Sequence, residues 1–304
     1  MPHSRLNTSL LAIVSCLLWS TAFAGVKIGL AHTSPLQFAG IRFFLSGVLV
    51  FPLTYRINPS YFSIVRRNAG LILGIAALQT FLQNLLFYTG IERIPGAVAA
   101  MVIGSQPLFV ATMAHFMLRE ERFTPVRILS IVLGIAGVVL VSLGRDPASA
   151  TGRIALLGVL LVLGVNVQSG FSNVLVARRS ENIPPLVLSS ASMLSGGAAL
   201  FLLSLPVEGF HPHPKPIEYY ASLAWLSMLS AVAISIWITL LKRPGVKVAD
   251  LNLWKFLIPV VGALLSWMLL PDENPDPLTI TGMFIISSSL IVHNLMRRKQ
   301  PISG

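Results

Sequence analysis

Apolar residues run along this chain in long blocks, each separated from the next by a short polar connection. A helix needs roughly 20 such residues, rising about 1.5 Å each, to cross about 30 Å of hydrocarbon. Blocks of that kind lie at 9–30, 36–55, 69–89, 95–117, 126–143, 154–177, 184–205, 219–241, 248–270 and 278–295. We read each as a membrane-spanning helix, so the predicted fold is an all-α polytopic membrane protein with ten transmembrane helices. The longest connection, 206–218, is rich in proline and histidine, and none is long enough to hold a separate catalytic domain.

Composition agrees with a lipid solvent. Of the 304 residues, 54% are hydrophobic and 11% charged, far from the roughly 25% charged residues of soluble domains. The net charge of +11 would suggest nucleic acid in a soluble chain, but here it reads as a topology signal. With a cytoplasmic N-terminus, Arg5, Arg56, Arg66, Arg67, Arg119, Arg122, Arg127, Arg178, Arg179, Lys242, Arg243, Lys247, Arg297, Arg298 and Lys299 fall on the cytoplasmic side. Only Lys27, Arg93, Arg145, Arg153 and Lys215 fall on the other. That bias predicts both termini in the cytoplasm. The first block also has the outline of a signal peptide, with Ala22-Phe23-Ala24 as a small-residue cleavage site. Its apolar run continues through Val26, Ile28, Leu30 and Ala31, and we treat it as a retained helix.

A shift of half the length, 152 residues, superimposes Pro107 on Pro259, Pro125 on Pro277, Glu120 on Asp272, Ser20 on Ser172 and Trp19 on Phe171. Each of the two mid-span prolines is followed thirteen positions later by an acidic residue. The chain divides on this pattern into a first five-helix repeat, 1–150, and a second, 151–304. Five helices is an odd number, so the second repeat inserts upside down relative to the first, which is the plan of many secondary transporters with a mid-membrane substrate site. Pro107 and Pro259 are the expected kink and gating positions.

Several segments resemble EamA-type permeases of the drug/metabolite transporter superfamily over nearly the whole chain. They are Trp19-Ser20-Thr21-Ala22-Phe23, Pro35 with Arg42-Phe43, Phe87-Tyr88, Ala97-Val98-Ala99-Ala100, Pro107-Leu108-Phe109, Glu120-Glu121-Arg122 and Thr124-Pro125. The second half carries a looser copy, Pro259-Val260 through Trp267 to Asp272-Glu273, and departs from the family in having Pro271-Asp272-Glu273 where glycine and glutamate are usual. The resemblance implies a ten-helix carrier of the bacterial inner membrane with a central cavity. Its cargo would be small metabolites such as amino acids or related organic compounds, often moved outward.

Two charges lie inside the blocks. Arg42 is about two turns into the second, where a guanidinium costs at least about 2.5 kcal/mol. It is either a cavity contact for a carboxylate or phosphate or a tie to neighbouring carbonyls and amides. Lys255 precedes Pro259 by one turn, and that proline withholds the amide that would bond the lysine carbonyl. Its ammonium either joins a substrate site at a broken helix or snorkels to the cytoplasmic face. Trp254 beside it is a stacking wall or an interfacial aromatic. Gln79, Gln83 and Asn84 share one helix, and Asn166, Ser169 and Asn173 form a stripe on another, with Gln168 and Ser172 beside it. Such amides either line the cavity or glue helices together. The candidate substrate-binding set is Arg42, Gln83, Trp19, Asn166, Trp254 and Lys255, with Trp19 drawn from the family-like first segment.

Other chemistry finds little support. No Asp or Glu lies deep in a block, so a mid-membrane carboxylate relay is absent. His115 and His293 read as interfacial residues. The pair His211 and His213 lacks a third metal ligand, and the single Cys16 excludes an intrachain disulfide or a multi-cysteine site. No phosphate-loop motif is present, and no metal, cofactor or catalytic group is expected. Gly70 and Gly74 have the spacing of a close internal helix contact. The leading function is a secondary carrier working by alternating access; an intramembrane enzyme and a passive pore are the alternatives. A small-molecule solute and the lipid bilayer are the expected partners. Coupling to a proton or a counter-solute stays open, as does the choice between monomer and homodimer.

Overall fold

The computed structural model describes residues 2–118, 150–210, 213–285 and 288. The described residues are helical and contain no strand. Among the described residues, eight helices are long and apolar enough to span a bilayer. The block at 126–143 lies outside the described residues, as do the family-like segments from Glu120 to Pro125, His293, and His211 of the histidine pair. Of the block at 278–295 the described part is helical from 277 to 285.

The helices are α1 (Pro2–Leu30), α2 (Pro35–Ile57), α3 (Tyr61–Arg67) and α4, which runs through Ala69–Ile91. After these come α5 (Gly96–Gly104), α6 (Gln106–Leu118), α7 (Ala150–Arg179), α8 (Pro185–Glu208) and α9 (Ile217–Leu241). Next come α10 (Val248–Asn252), a 3₁₀ turn over Leu253–Phe256, and α11 (Leu257–Leu269). Short α3 sits in a connection with no block of its own. Helix α8 continues past the predicted end at 205, through Pro206 to Glu208.

Two predicted spans are each divided into half-helices. The block at 95–117 is α5 and α6, broken at Ser105; the block at 248–270 is α10 and α11, joined by the 3₁₀ turn. Pro107 and Pro259 lie in the first turn of α6 and α11, where a missing N–H leaves no helical bond unmade. The prolines therefore start new half-helices rather than bend continuous ones. A third irregularity has no sequence marker: in α4 residues Ala76–Leu82 form a π-helix, a widened turn that recurs at functional sites.

Packing pairs elements across the midpoint of the chain. Helix α2 packs on α8, and the half-helices α5 and α6 pack on α11 and α10. Contacts of α1 with α9 and α11 are matched by those of α7 with α4 and α6. Small residues allow this closeness, as expected where lipid supplies no hydrophobic drive between helices. A Cβ on Gly197 would lie 2.3 Å from the Phe44 backbone nitrogen, and one on Gly40 2.5 Å from that of Phe201. At Gly70 and Gly74, where a close internal contact was expected, nothing among the described residues lies within 4 Å of an added Cβ. Outward-facing Leu49, Leu53, Leu73, Leu202, Val207 and Met268 are exposed, which suits hydrocarbon.

Candidate functional site

The half-helix breaks meet inside the bundle. Gly104, at the end of α5, lies against the Pro259 ring, and a Cβ there would be 2.5 Å from the proline Cγ. Next to it, the Lys255 Nζ donates to Gln106 Oε1, so one broken helix holds the other across the bundle. Around this crossing lies a cavity with about 120 Å³ open to the centres of water molecules, room for several waters or a small solute.

Two cations project into it. Arg42, 4% exposed, donates through Nη1 to the Tyr88 hydroxyl at 2.6 Å, through Nη2 to Ser230 Oγ at 2.8 Å and through Nε to the Leu226 carbonyl at 3.3 Å. Its Cζ lies 4.8 Å from the centroid of the Phe43 ring. Lys255, 5% exposed, lies under two indoles, with Nζ 4.5 Å from the Trp237 ring centroid and 5.2 Å from that of Trp19. Those rings meet edge to face at 5.0 Å. Ring faces are negative, so such contacts stabilise a desolvated ammonium by about 2 kcal/mol. Every one of these contacts is neutral. No Asp or Glu is among the described residues lining the cavity, so among them two buried positive charges stand without a counter-ion.

The remaining wall is amide and aromatic. Gln79 lies within the π-helix, and Gln83 and Asn84 follow it into the cavity beside Phe87. Gln168 stabilises the widened turn by donating to the Leu78 carbonyl at 2.8 Å. Gln79 Oε1 is buried with no hydrogen-bond partner among the described residues, an acceptor free to take a donor from a solute. Asn173 and Asn252 continue the network behind Trp237, whose indole N–H points at Asn173 Oδ1 from 3.4 Å.

Of the six candidate residues, the cavity lining contains Trp19, Arg42, Gln83 and Lys255 and does not contain Asn166 or Trp254. Asn166 instead donates to the Val102 carbonyl at 2.7 Å and to Ser105 Oγ at 2.9 Å, supplying bonds to backbone that the break at Ser105 exposes. Trp254 packs half-buried against the hydrophobic core. Sequence reasoning passed over Tyr88 as an Arg42 ligand, and missed Gln106 and Trp237 altogether. Gln106 immediately precedes Pro107, the position a half-helix start would have marked.

Comparison with known proteins gives this site its context. The model of the EamA-like transporter family matches the chain twice in succession, over residues 6–143 and 156–295. The chain belongs to the EamA-like transporter family. It is thus a multi-pass membrane transporter of the drug/metabolite transporter superfamily. Among relatives of this EamA-like protein, a probable amino-acid metabolite efflux pump of Salmonella typhimurium is 28% identical over 97% of this chain and 98% of its own. An S-adenosylmethionine/S-adenosylhomocysteine transporter of Chlamydia trachomatis is 23% identical over 95% of this chain and 90% of its own. A solved crystal structure at 21% identity shares the fold with a TM-score of 0.73, covering 98% of this chain and 99% of that one.

Proposed function

We propose that this EamA-like protein is a secondary carrier, built as ten transmembrane helices in two inverted five-helix repeats, 1–150 and 151–304. It moves small metabolites with an anionic group, amino acids and related organic acids among them, by alternating access around the cavity. The observation that carries the solute class is the pair Arg42 and Lys255: two buried cations, held among the described residues by neutral groups, in a chamber whose described lining contains no acid. A solute carboxylate supplies the missing counter-charge, bidentate on Arg42 or as a point contact on Lys255, while the rings of Trp19, Trp237 and Phe87 take its apolar body. The inverted plan is supported by contacts that survive exchange of the two halves, α2 with α8 mapping onto itself and α1 with α9 onto α7 with α4. The names of the relatives agree with metabolite transport and, in one case, with efflux. The charge bias supports cytoplasmic termini, and the bacterial relatives agree with a bacterial inner membrane.

The test is counterflow in proteoliposomes. Saturable exchange of labelled amino or organic acids is expected, with Arg42→Gln and Lys255→Gln each weakening apparent affinity about 10- to 100-fold, the range for losing one charge-assisted hydrogen bond. Unsaturable flux would make the protein a pore, and turnover of a solute into product would make it an enzyme. Unchanged affinity for every anionic solute in both variants would remove the anion site.

A further inference from the structure

The cavity is capped at one end of the bundle by an aromatic layer, one member of which, Tyr88, also holds Arg42. At the end where α1 stops and α2 starts, Phe38, Tyr88 and Tyr219 meet ring to ring, at 6.2 Å and 5.5 Å from Phe38 to the other two. All three are buried. Gly29 completes the seal, because a Cβ there would lie 2.2 Å from Phe38 Cζ. This layer sits one turn above Arg42 on α2 and roofs it through the Tyr88 hydroxyl.

Beyond the aromatic layer two carboxylates bind helix starts in trans. Glu208, the last residue of α8, accepts from the Leu36 N–H at 2.8 Å through Oε1 and from the Gln37 N–H at 2.9 Å through Oε2. Glu273, in the connection after α11, accepts from the Gly96 N–H at 2.5 Å through Oε1 and from the Ala97 N–H at 3.0 Å through Oε2. The first N–H groups of a helix have no intrahelical acceptor and carry the positive end of the helix dipole, so a bidentate carboxylate is their best match. Both glutamates belong to the second half of the chain and both helix starts to the first. Both contacts lie at the same end as the aromatic layer. The halves are therefore tied together there by four charge-assisted hydrogen bonds from two side chains.

We propose that Glu208 and Glu273 form a two-point latch holding the halves closed over the non-cytoplasmic end of the cavity, and that opening to that side requires both carboxylates to leave Leu36-Gln37 and Gly96-Ala97. The latch rests on the alternating-access reading but not on the identity of the solute. An amide in place of either carboxylate keeps one acceptor and removes the charge. Opening then becomes easier by the strength of the lost bonds, a factor of about ten or more.

The experiment places a reporter thiol in the cavity wall, Ala22→Cys in a Cys16→Ser background, and times its reaction with a membrane-impermeant maleimide. In right-side-out vesicles, Glu208→Gln and Glu273→Gln are each expected to speed labelling at least about ten-fold, and the pair together further. In inside-out vesicles the same variants are expected to slow it, as the population shifts between the two faces. Glu→Asp variants, with the charge kept on a shorter arm, cover any amide variant that fails to fold and are expected to be intermediate. Labelling from the outer side that is unchanged by either substitution overturns the latch. So does equal acceleration from both faces, which marks a loosened fold. Labelling needs no solute, so a chain inert in counterflow but with latch-sensitive labelling would sink the solute reading alone. An active carrier with insensitive labelling would sink the latch alone.

Discussion

Arg42 and Lys255 show what a single buried charge asks of its surroundings. Among the described residues neither has a carboxylate within the cavity, and both are held by hydroxyls, carbonyls, an amide and ring faces. Neutral ligands orient a cation without cancelling its charge, which leaves the charge available to a solute. A different residue-scale device sits just beyond α9. Lys242 donates to the Ser180 and Ile183 carbonyls, capping the loop that follows α7. Burial pushes its ammonium down from the usual lysine range to about 8, against the pull of the Glu181 carboxylate. Between about pH 8 and 10.5 the folded state therefore binds fewer protons here than the unfolded one, so this residue's contribution to stability grows as pH rises through that window and falls away below it. The thermal midpoint of the wild type, relative to Lys242→Met, is expected to rise from pH 7.5 to 10; a flat difference would contradict the assignment. The charges themselves were legible, since Arg or Lys in an apolar block is conspicuous. Tyr88, Gln106 and Trp237 were not, because an aromatic or amide in such a block reads the same whether it faces lipid, a neighbour or a cavity.

At the scale of elements, three irregularities build the site: the break at Ser105, the 3₁₀ turn at Leu253–Phe256 and the π-helix at Ala76–Leu82. Backbone freed from regular pairing at membrane depth is tolerated where protein or a cavity meets it, and Asn166 and Gln168 supply that partnering. The contact of Gly104 with Pro259 sets the distance between the two breaks. Gly104→Ala is expected to force the proline ring away, costing about 1–3 kcal/mol and lowering the thermal midpoint. Gly74→Ala, with nothing within 4 Å of its Cβ among the described residues, is expected to leave the midpoint unchanged or to raise it slightly. Equal effects at the two sites would show that the crossing is not tight. The prolines announced two of these irregularities, although not that each would lie at the start of a half-helix or that Gly104 would pack on Pro259. The π-helix carries no proline or glycine and is stabilised from α7, so no local pattern could have revealed it.

At the scale of the whole molecule, the long seam between α2 and α8 is set by glycines on both sides. Gly40 and Gly197 each stand under the backbone of the opposite helix, where an added methyl group meets main chain rather than a yielding side chain. Alanine at either position is expected to destabilise the protein by about 1–3 kcal/mol, and the double substitution by less than the sum, since the first opens the seam that the second would have strained. Additive losses in chemical denaturation would mean that the two contacts are independent. What the sequence by itself determined is the set of properties that depend only on each segment's own composition. Spanning follows from apolar length and the doubled plan from matching segments half a chain apart, while the distribution of Lys and Arg gives an expected orientation. Which amides face the cavity, that Trp19 and Trp237 cover Lys255, and that Glu208 and Glu273 reach across to the starts of α2 and α5 were decided only by the tertiary structure. Each of those is a relation between segments far apart in the chain. In a bundle whose helices are apolar on nearly every side, only the assembled neighbours distinguish one face from another.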